Sequence, residues 1–319
     1  MEVSFYSQNE IDPKDWNKDI KNPTQLWEYS KTASKHSTPV FLIIRDENRI
    51  LKWLFFVSGL KYFSYVSIVS EPTNEDIDLL NVALEKIVEK YKPFKISFYS
   101  MVLSKFKNED FFKRNSFSIH KYATALIDLH QDEDVLFTKI HPKHRNMIRH
   151  AEKAGVVFYE NTTSEGISNY FELAKQTYAK SNKSVPNLHY LNNWYKALAQ
   201  SGNLKVFFTI LDNELQASAI MIFTKHVVIY LHGASRNEMY PGSSNYLHWN
   251  MIKFFKYNGV EEYDFGGVSL DFTDEKAQSI SFFKRRFGGN LVNYYGGEKI
   301  YGNSRNYLYN QIFHLIKGK

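Results

Sequence analysis

HVVIYLHGASRNEMYPGSSNYLHWNMIKFFKYNGVEEYDFGG, residues 226–267, contains a strand, a loop, an amphipathic helix, a glycine stop and a second strand. Residues 226–233 are rich in β-branched and aromatic side chains, as a strand requires. Ser243 or Ser244 offers an N-cap for a helix over 244–258, and Leu247, Met251, Phe254 and Phe255 recur on one side of it. Gly259 ends that helix, and strand 262–266 runs into the pair Gly266-Gly267.

Working outward, the upstream chain predicts strand 156–160 and helix 165–181, with Ile167, Phe171, Ala174 and Tyr178 on one face. Helix 188–200 ends at Gly202, and strands 204–211 and 215–224 are separated by Asp212-Asn213. Thr224-Lys225 turns into the quoted strand, and downstream come helix 275–286 and strand 290–296. The order β-α-α-β-β-β-α-β-α-β is the element sequence of the GNAT acyltransferase fold, a mixed sheet that splays open in the middle to admit the acyl donor. The first half fits a degraded copy, although no direct sequence repeat links the halves. It predicts a short helix over 24–36, strands 40–45, 50–57 and 63–70, and helix 74–91 ended by Pro93. Strands 94–100 and 119–129 follow, and a basic helix, 143–154, leads into the second half. The fold class expected is mixed α/β, two GNAT-like domains: residues 1–142, completed by 303–319, and 143–302.

The composition supports a packed core, with 43% hydrophobic and 16% aromatic residues. Forty Lys and Arg against 34 Asp and Glu give +6, compatible with RNA, a nucleotide-linked substrate or an anionic membrane face as partner. The absence of cysteine excludes disulfides, thiolate nucleophiles and Cys-based zinc sites. Residues 1–16 lack the basic start and apolar run of a signal peptide. Apolar runs such as Trp53 to Val57 fall far short of the ~20 residues that span a bilayer. The expectation is a cytoplasmic protein with no integral membrane segment, open to peripheral membrane contact.

Four stretches together resemble the Fem family of aminoacyltransferases. Tyr230-Leu231-His232-Gly233-Ala234-Ser235 is similar to its Y-x-Y-G-A/G-S strand end, with His232 where Tyr is frequent. Trp249 to Lys253, Gly259 and Tyr263-Asp264-Phe265-Gly266-Gly267 resemble its helix-Gly-strand signature, and Phe283-Lys284-Arg285-Arg286-Phe287-Gly288 its F-K-x-x-F/W-G. Arg145 to Gly155 resembles its basic run upstream. The resemblance covers about residues 140–298. It implies transfer of an amino acid from aminoacyl-tRNA, as co-substrate, to a nucleotide- or lipid-linked peptidoglycan precursor, with no other cofactor.

Such a transfer needs proximity, removal of a proton from the acceptor amine and stabilisation of a tetrahedral oxyanion. The resemblance makes Lys284 the candidate catalytic cation. Ile280, Phe283 and Phe287 would form the buried stripe of its helix, with Lys284 at the margin. Asp264 either orients an amine or acts as base, or serves only as the turn-forming Asp before two glycines. Tyr230 and His232 alternate along a strand and so share a face, which is either the cleft or the core. Trp27-x-x-x-Lys31 is similar to a family element whose lysine contacts a phosphate of the acceptor, and Tyr178 stands where the family places acceptor contacts. His141, His144 and His150 have no carboxylate at a metal-ligand spacing.

Two alternatives stay open. An acyl-CoA donor would need an R/Q-x-x-G-x-G/A loop presenting backbone N–H groups to its phosphates. Residues 236–242 instead hold Glu238, Pro241 and no such glycine spacing, leaving Arg236 and Gly242 as the only features in its favour. A GNAT-like scaffold that binds an envelope intermediate without turnover is the other.

Overall fold

The computed structural model describes residues 1–59, 63–98, 103–179, 184–270, 273, 275–305, 307–308 and 311. The chain divides into two compact units, Met1–Tyr122 with Asn293–Lys319, and Ala123–Val292. The changeover lies at 122/123 and not at 142, because the end of a strand running over Ser118–Asp128 pairs at Leu126–Asp128 with a strand of the second unit. The chain from Asn293 onward returns to the first unit, so the return begins earlier than 303.

In chain order the described strands are β1 (Glu2–Tyr6), β2 (Ser37–Asp46), β3 (Arg49–Ser58), β4 (Tyr65–Ile68), β5 (Lys95–Phe98), β6 (Ser118–Asp128), β7 (Val157–Glu160), β8 (Leu204–Leu211), β9 (Glu214–Phe223), β10 (Val227–Ser235), β11 (Glu262–Asp264) and β12 (Asn290–Ile300). The α-helices are α1 (Pro13–Asn17), α2 (Ile77–Tyr91), α3 (Glu109–Arg114), α4 (Glu133–Lys139), α5 (Pro142–Lys153), α6 (Ser164–Ala179), α7 (Leu188–Leu198), α8 (Ser243–Tyr257) and α9 (Glu275–Arg285).

The first unit orders its strands β1-β2-β3-β4-β5-β12. Antiparallel β2, β3 and β4 lead through α2 to β5, which lies parallel to β4. Asp76 caps α2 by accepting from the amides of Asp78 and Leu79, and Leu79, Leu80, Ala83, Leu84 and Ile87 are buried along it. Lys92 ends it in the left-handed region at φ +43°, its N–H on the Val88 carbonyl at 2.9 Å, one residue before Pro93. Phe98 centres an aromatic cluster with Phe106, Phe111, Phe112 and Phe117, at centroid distances of 4.9–5.9 Å. The helix expected over 24–36 is replaced by two 3-10 turns, Pro23–Gln25 and Trp27–Thr32. There Gln25 turns inward and bonds both the N–H and the C=O of Leu54 in β3.

The second unit orders its strands β6-β11-β10-β9-β8-β7. Antiparallel β8, β9 and β10 lead through α8 to β11, parallel to β10. The same meander and helical crossover thus occur in each unit, and the mixed α/β fold consists of two GNAT-like domains. One face of the second sheet carries Phe207, Ala217, Ala219, Met221 and Val228 under α8, whose Leu247, Met251, Ile252 and Phe255 are buried. The N-cap of α8 is Gly242, at φ +91°, and not a serine. A Cβ at 242 would lie 2.2 Å from the Met147 carbonyl oxygen of α5, so only glycine lets the two helices approach so closely.

Candidate functional site

Strands β10 and β11 pair over only Val227–Ile229 and Glu262–Asp264. Beyond Ile229, β10 continues to Ser235 against β9, whereas the chain after Asp264 bends away and bridges Val268 to Ala123 of β6. Asp264 causes the bend. Fully buried, its Oδ1 accepts the Gly266 N–H at 2.6 Å and the Thr124 hydroxyl at 2.5 Å, and Gly266 adopts φ +63°. The two parallel strands therefore part at Ile229/Asp264, leaving a wedge beside residues 230–235. Of the two readings of Asp264, the turn-forming one describes its geometry.

Lys284 enters this wedge from α9. Its Nζ donates to the carbonyl oxygens of Gly266 at 3.1 Å and Gly267 at 2.9 Å, and lies 5.6 Å from the centroid of the Tyr230 ring. One half-buried ammonium thus lies between Tyr230 of β10 and the turn that follows β11, where the strands separate. The helix is held by Phe287, buried against Phe265 at 5.0 Å, and by Gly288, whose absent Cβ would lie 2.7 Å from the Lys139 carbonyl oxygen. Ile280 does not join the buried stripe. It is 47% exposed, and Ser281 is buried instead, its hydroxyl bonding the Ala277 carbonyl and the Ser269 N–H.

Tyr230 forms the floor. Its ring packs edge-on to His248 at 4.7 Å, and its hydroxyl occupies the space that a side chain at Gly233 would need. Burial pushes the phenol pKa well up, so it stays protonated. His248, 2% exposed, meets the Tyr263 hydroxyl at 3.0 Å through Nδ1. Burial, then the charge of Lys284, pushes its pKa down to about 3, so the imidazole beside the ammonium is neutral. His144 of α5, packed on Phe283 and Phe287, is likewise pushed down to about 4 by burial and by Arg286. Sequence reasoning missed His248, although its spacing from Met251 and Phe255 places it on the inward side of α8.

His232 and Tyr230 do not share a face. The β10–β9 register shifts between them: Tyr230 pairs with Met221 and His232 with its neighbour Ile220. Leu231 is the extra residue of a β-bulge, and a one-residue slip sends His232 to the opposite side of the sheet. There its ring lies 6.5 Å from that of Tyr170 in α6 and 6.3 Å from that of Tyr190 in α7. The bulge separates the two members of the Y-x-H pattern into different environments.

The remaining candidates are placed as follows. Tyr178 is half-buried at the end of α6, and the preceding Thr177 bonds both the N–H and the C=O of Ser235 at the tip of β10. The buried stripe of α6 runs through Ile167, Tyr170, Leu173 and Ala174, leaving Phe171 and Tyr178 at its edge. Arg236 pairs with Glu214 at the surface. Lys31 belongs to the first unit, where its exposed ammonium lies over Trp27 at 4.5 Å. On α5, Arg145 donates to the carbonyls of Thr138 and Ile140, each at 2.6 Å, closing the end of α4, and Arg149 covers Phe137. Half of the basic run is thus structural, and Lys143 and Lys153 remain exposed.

Four amides of the loop before α8 are bonded within the protein. Arg236 N–H reaches Gln216 O, Asn237 N–H reaches Gln176 Oε1, Tyr240 N–H reaches Gln216 Oε1 and Ser243 N–H reaches Tyr240 O, at 2.8–3.1 Å. Pro241 has no amide hydrogen to offer.

Comparison with known proteins agrees with this architecture. The acetyltransferase (GNAT) domain family matches residues 139–277. The lipid II:glycine glycyltransferase of Staphylococcus aureus is 23% identical over 268 residues, covering 62% of each chain. The chain therefore spans less than two thirds of the length of that relative. The crystal structure of FemX superposes with a TM-score of 0.78 at 17% identity, over 98% of this chain and 100% of that one. A tandem GNAT protein from the clavulanic acid biosynthesis pathway gives 0.54 at 9% identity, over 94% of this chain and 99% of that one. Among the described residues, no helix is long and apolar enough to cross a membrane. The chain thus shares its fold with FemX and is similar in sequence to the acetyltransferase (GNAT) domain family and to a lipid II:glycine glycyltransferase.

Proposed function

We propose that this protein is an acyltransferase that moves an amino acid from aminoacyl-tRNA to an amine of a peptidoglycan precursor. The observation that carries the reading is the Lys284 ammonium at the point where β10 and β11 part. Two neutral carbonyl dipoles and an aromatic face fix it there. A cation preorganised in this way stabilises the oxyanion formed when an amine adds to an ester carbonyl. The amine attacks as the free base. Its surplus proton leaves with the ribose oxygen as the ester bond breaks, so the protein must chiefly align two reactants. Asp264 shapes the wedge through Gly266 and Gly267, and His248 supports Tyr230 without adding charge.

The amides of Arg236, Asn237, Tyr240 and Ser243 are already held by acceptors of the protein, which favours the tRNA-borne ester over a CoA thioester. A CoA pyrophosphate would want those N–H groups pointing outward, and Glu238 stands in the same loop. Lys143 and Lys153 on α5 are available to a polyanion such as tRNA. The acceptor is nucleotide- or lipid-linked, with Lys31 and Tyr178 as candidate contacts, and peripheral membrane contact and a cytoplasmic site of action accord with it.

The test is transfer from charged tRNA to a UDP-linked muropeptide by wild type and Lys284→Ala. The substitution should lower kcat about a hundredfold or more. An unchanged rate would remove Lys284 from the chemistry.

A further inference from the structure

The bulge at Leu231 creates a second polar locus on the face of the sheet away from Lys284. Three buried hydrogen-bonding atoms there have no partner among the described residues: Nε2 of His232, the hydroxyl of Tyr170 and Oγ of Ser218. Tyr170 is 0% exposed and Ser218 1%. The register places them on one face. His232 and Ala234 pair with Ile220 and Ser218, so Ser218 is the diagonal neighbour of His232, and α6 brings Tyr170 over both strands. Buried polar groups are nearly always satisfied, so three on one face point to an occupant. Tyr190, edge-on to His232, is itself 43% exposed.

The chemistry of the trio defines that occupant. All three groups are neutral: burial holds the imidazole unprotonated, with a pKa near 4, and raises the Tyr170 phenol. A carboxylate or phosphate would find no counter-charge among them, whereas an amide or hydroxyl can give and take hydrogen bonds with each. His232 also belongs to the stretch of β10 that β11 leaves uncovered, so the locus adjoins the wedge from the other side of the sheet. The amine adds to the ester's own carbonyl, so acceptor and donor must reach one carbon from different directions, and in the proposed reaction the Lys284 face receives the ester.

We infer that Tyr170, Ser218 and His232 form a binding site for a neutral amide of the acceptor's peptide stem, on the opposite side of the sheet from Lys284. This site deepens the proposed function and rests on it. Its test is calorimetric titration of a UDP-linked muropeptide, without donor, into wild type, Tyr170→Phe and Ser218→Ala. Losing one hydrogen bond should weaken binding about tenfold, with both variants melting within a few degrees of wild type. If Tyr170→Phe misfolds, Ser218→Ala carries the test. Equal affinity in wild type and variants means that the trio holds buried water only, and overturns the proposal. So does a wild type that does not bind the muropeptide. Failure of the proposed reaction reads differently: the muropeptide binds and the variants weaken it, yet charged tRNA gives no transfer.

Discussion

Gly233→Ala is the smallest change that should disturb the wedge without touching Lys284. A Cβ at position 233 would lie 1.6 Å from the Tyr230 hydroxyl oxygen, 2.6 Å from Cζ and 3.1 Å from Cε2. No contact of that kind survives, so the phenol ring must move. Nearby it has His248 at 4.7 Å and the Lys284 ammonium at 5.6 Å. Overpacking of this kind costs about 1–3 kcal/mol, and displacing the ring from under the ammonium adds up to about 1 kcal/mol of cation–π attraction. A total near 3 kcal/mol corresponds to a fall in Tm of roughly 6–12 °C for a unit of this size. In the transfer assay kcat should drop about tenfold, because the cation loses one of the surfaces that position it. The diagnostic measurement is a double-mutant cycle with Tyr230→Ala by chemical denaturation. With the ring gone, the added methyl has room, and Gly233→Ala should cost less than about 1 kcal/mol. If Gly233→Ala is equally damaging in both backgrounds, Tyr230 is not what fills that space and the described floor of the wedge is wrong.

Other outcomes follow from the same groups. Asp264→Ala removes the acceptor of two short buried hydrogen bonds and should destabilise the second unit by about 3–5 kcal/mol; Asp264→Asn, which keeps one acceptor oxygen, should lose markedly less in a urea titration. Stability should also fall on acidification. His144, His232 and His248 have folded pKa values near 4, 4 and 3, below the ordinary 6.5, so between pH 6.5 and about 4 the unfolded chain binds protons that the folded one refuses. Each histidine then removes about 1.4 kcal/mol per pH unit as pH falls. Glu75 of the first unit, raised to about 7, acts in the opposite sense: its contribution is lost as pH rises. Comparison with His144→Phe isolates the histidine effect, because the variant should show a shallower loss between pH 6.5 and 5. An identical slope would contradict the assignment.

Much of this arrangement was legible from residue pattern, and the exceptions share a cause. Helices α2 and α8 announce themselves by periodic apolar residues and clear stops. Lys284 was identifiable through the resemblance of its surrounding motif, and its exposed neighbour Ile280 shows that the helical period alone would have misplaced the buried face. Strand β1 escaped notice because Glu2–Tyr6 acquires its identity only by pairing with β2. Helices α3 and α4, at six and seven residues, are too short for a period to register. Gln25 shows how tertiary contact overrides local propensity, since its side chain serves as a strand partner for Leu54 where a helix was expected.

The bulge at Leu231 is the most instructive of these cases. Alternation along Tyr230-Leu231-His232 argues for one shared face, and nothing in the three side chains marks an inserted residue. The insertion appears only against β9, where neighbours Met221 and Ile220 receive partners two apart. Its consequence is chemical. Without the bulge, His232 would join Tyr230 and His248 beneath a lysine, crowding a site whose proposed task is to present one positive charge. With it, the imidazole is carried through the sheet to Tyr170 and Ser218, where its buried Nε2 has no partner among the described residues. A single extra residue thus gives one strand end two surfaces, one cationic and one neutral, on either side of the gap where β11 turns away. That division suits a reaction in which an activated ester and a nucleophilic amine must meet without competing for the same groups.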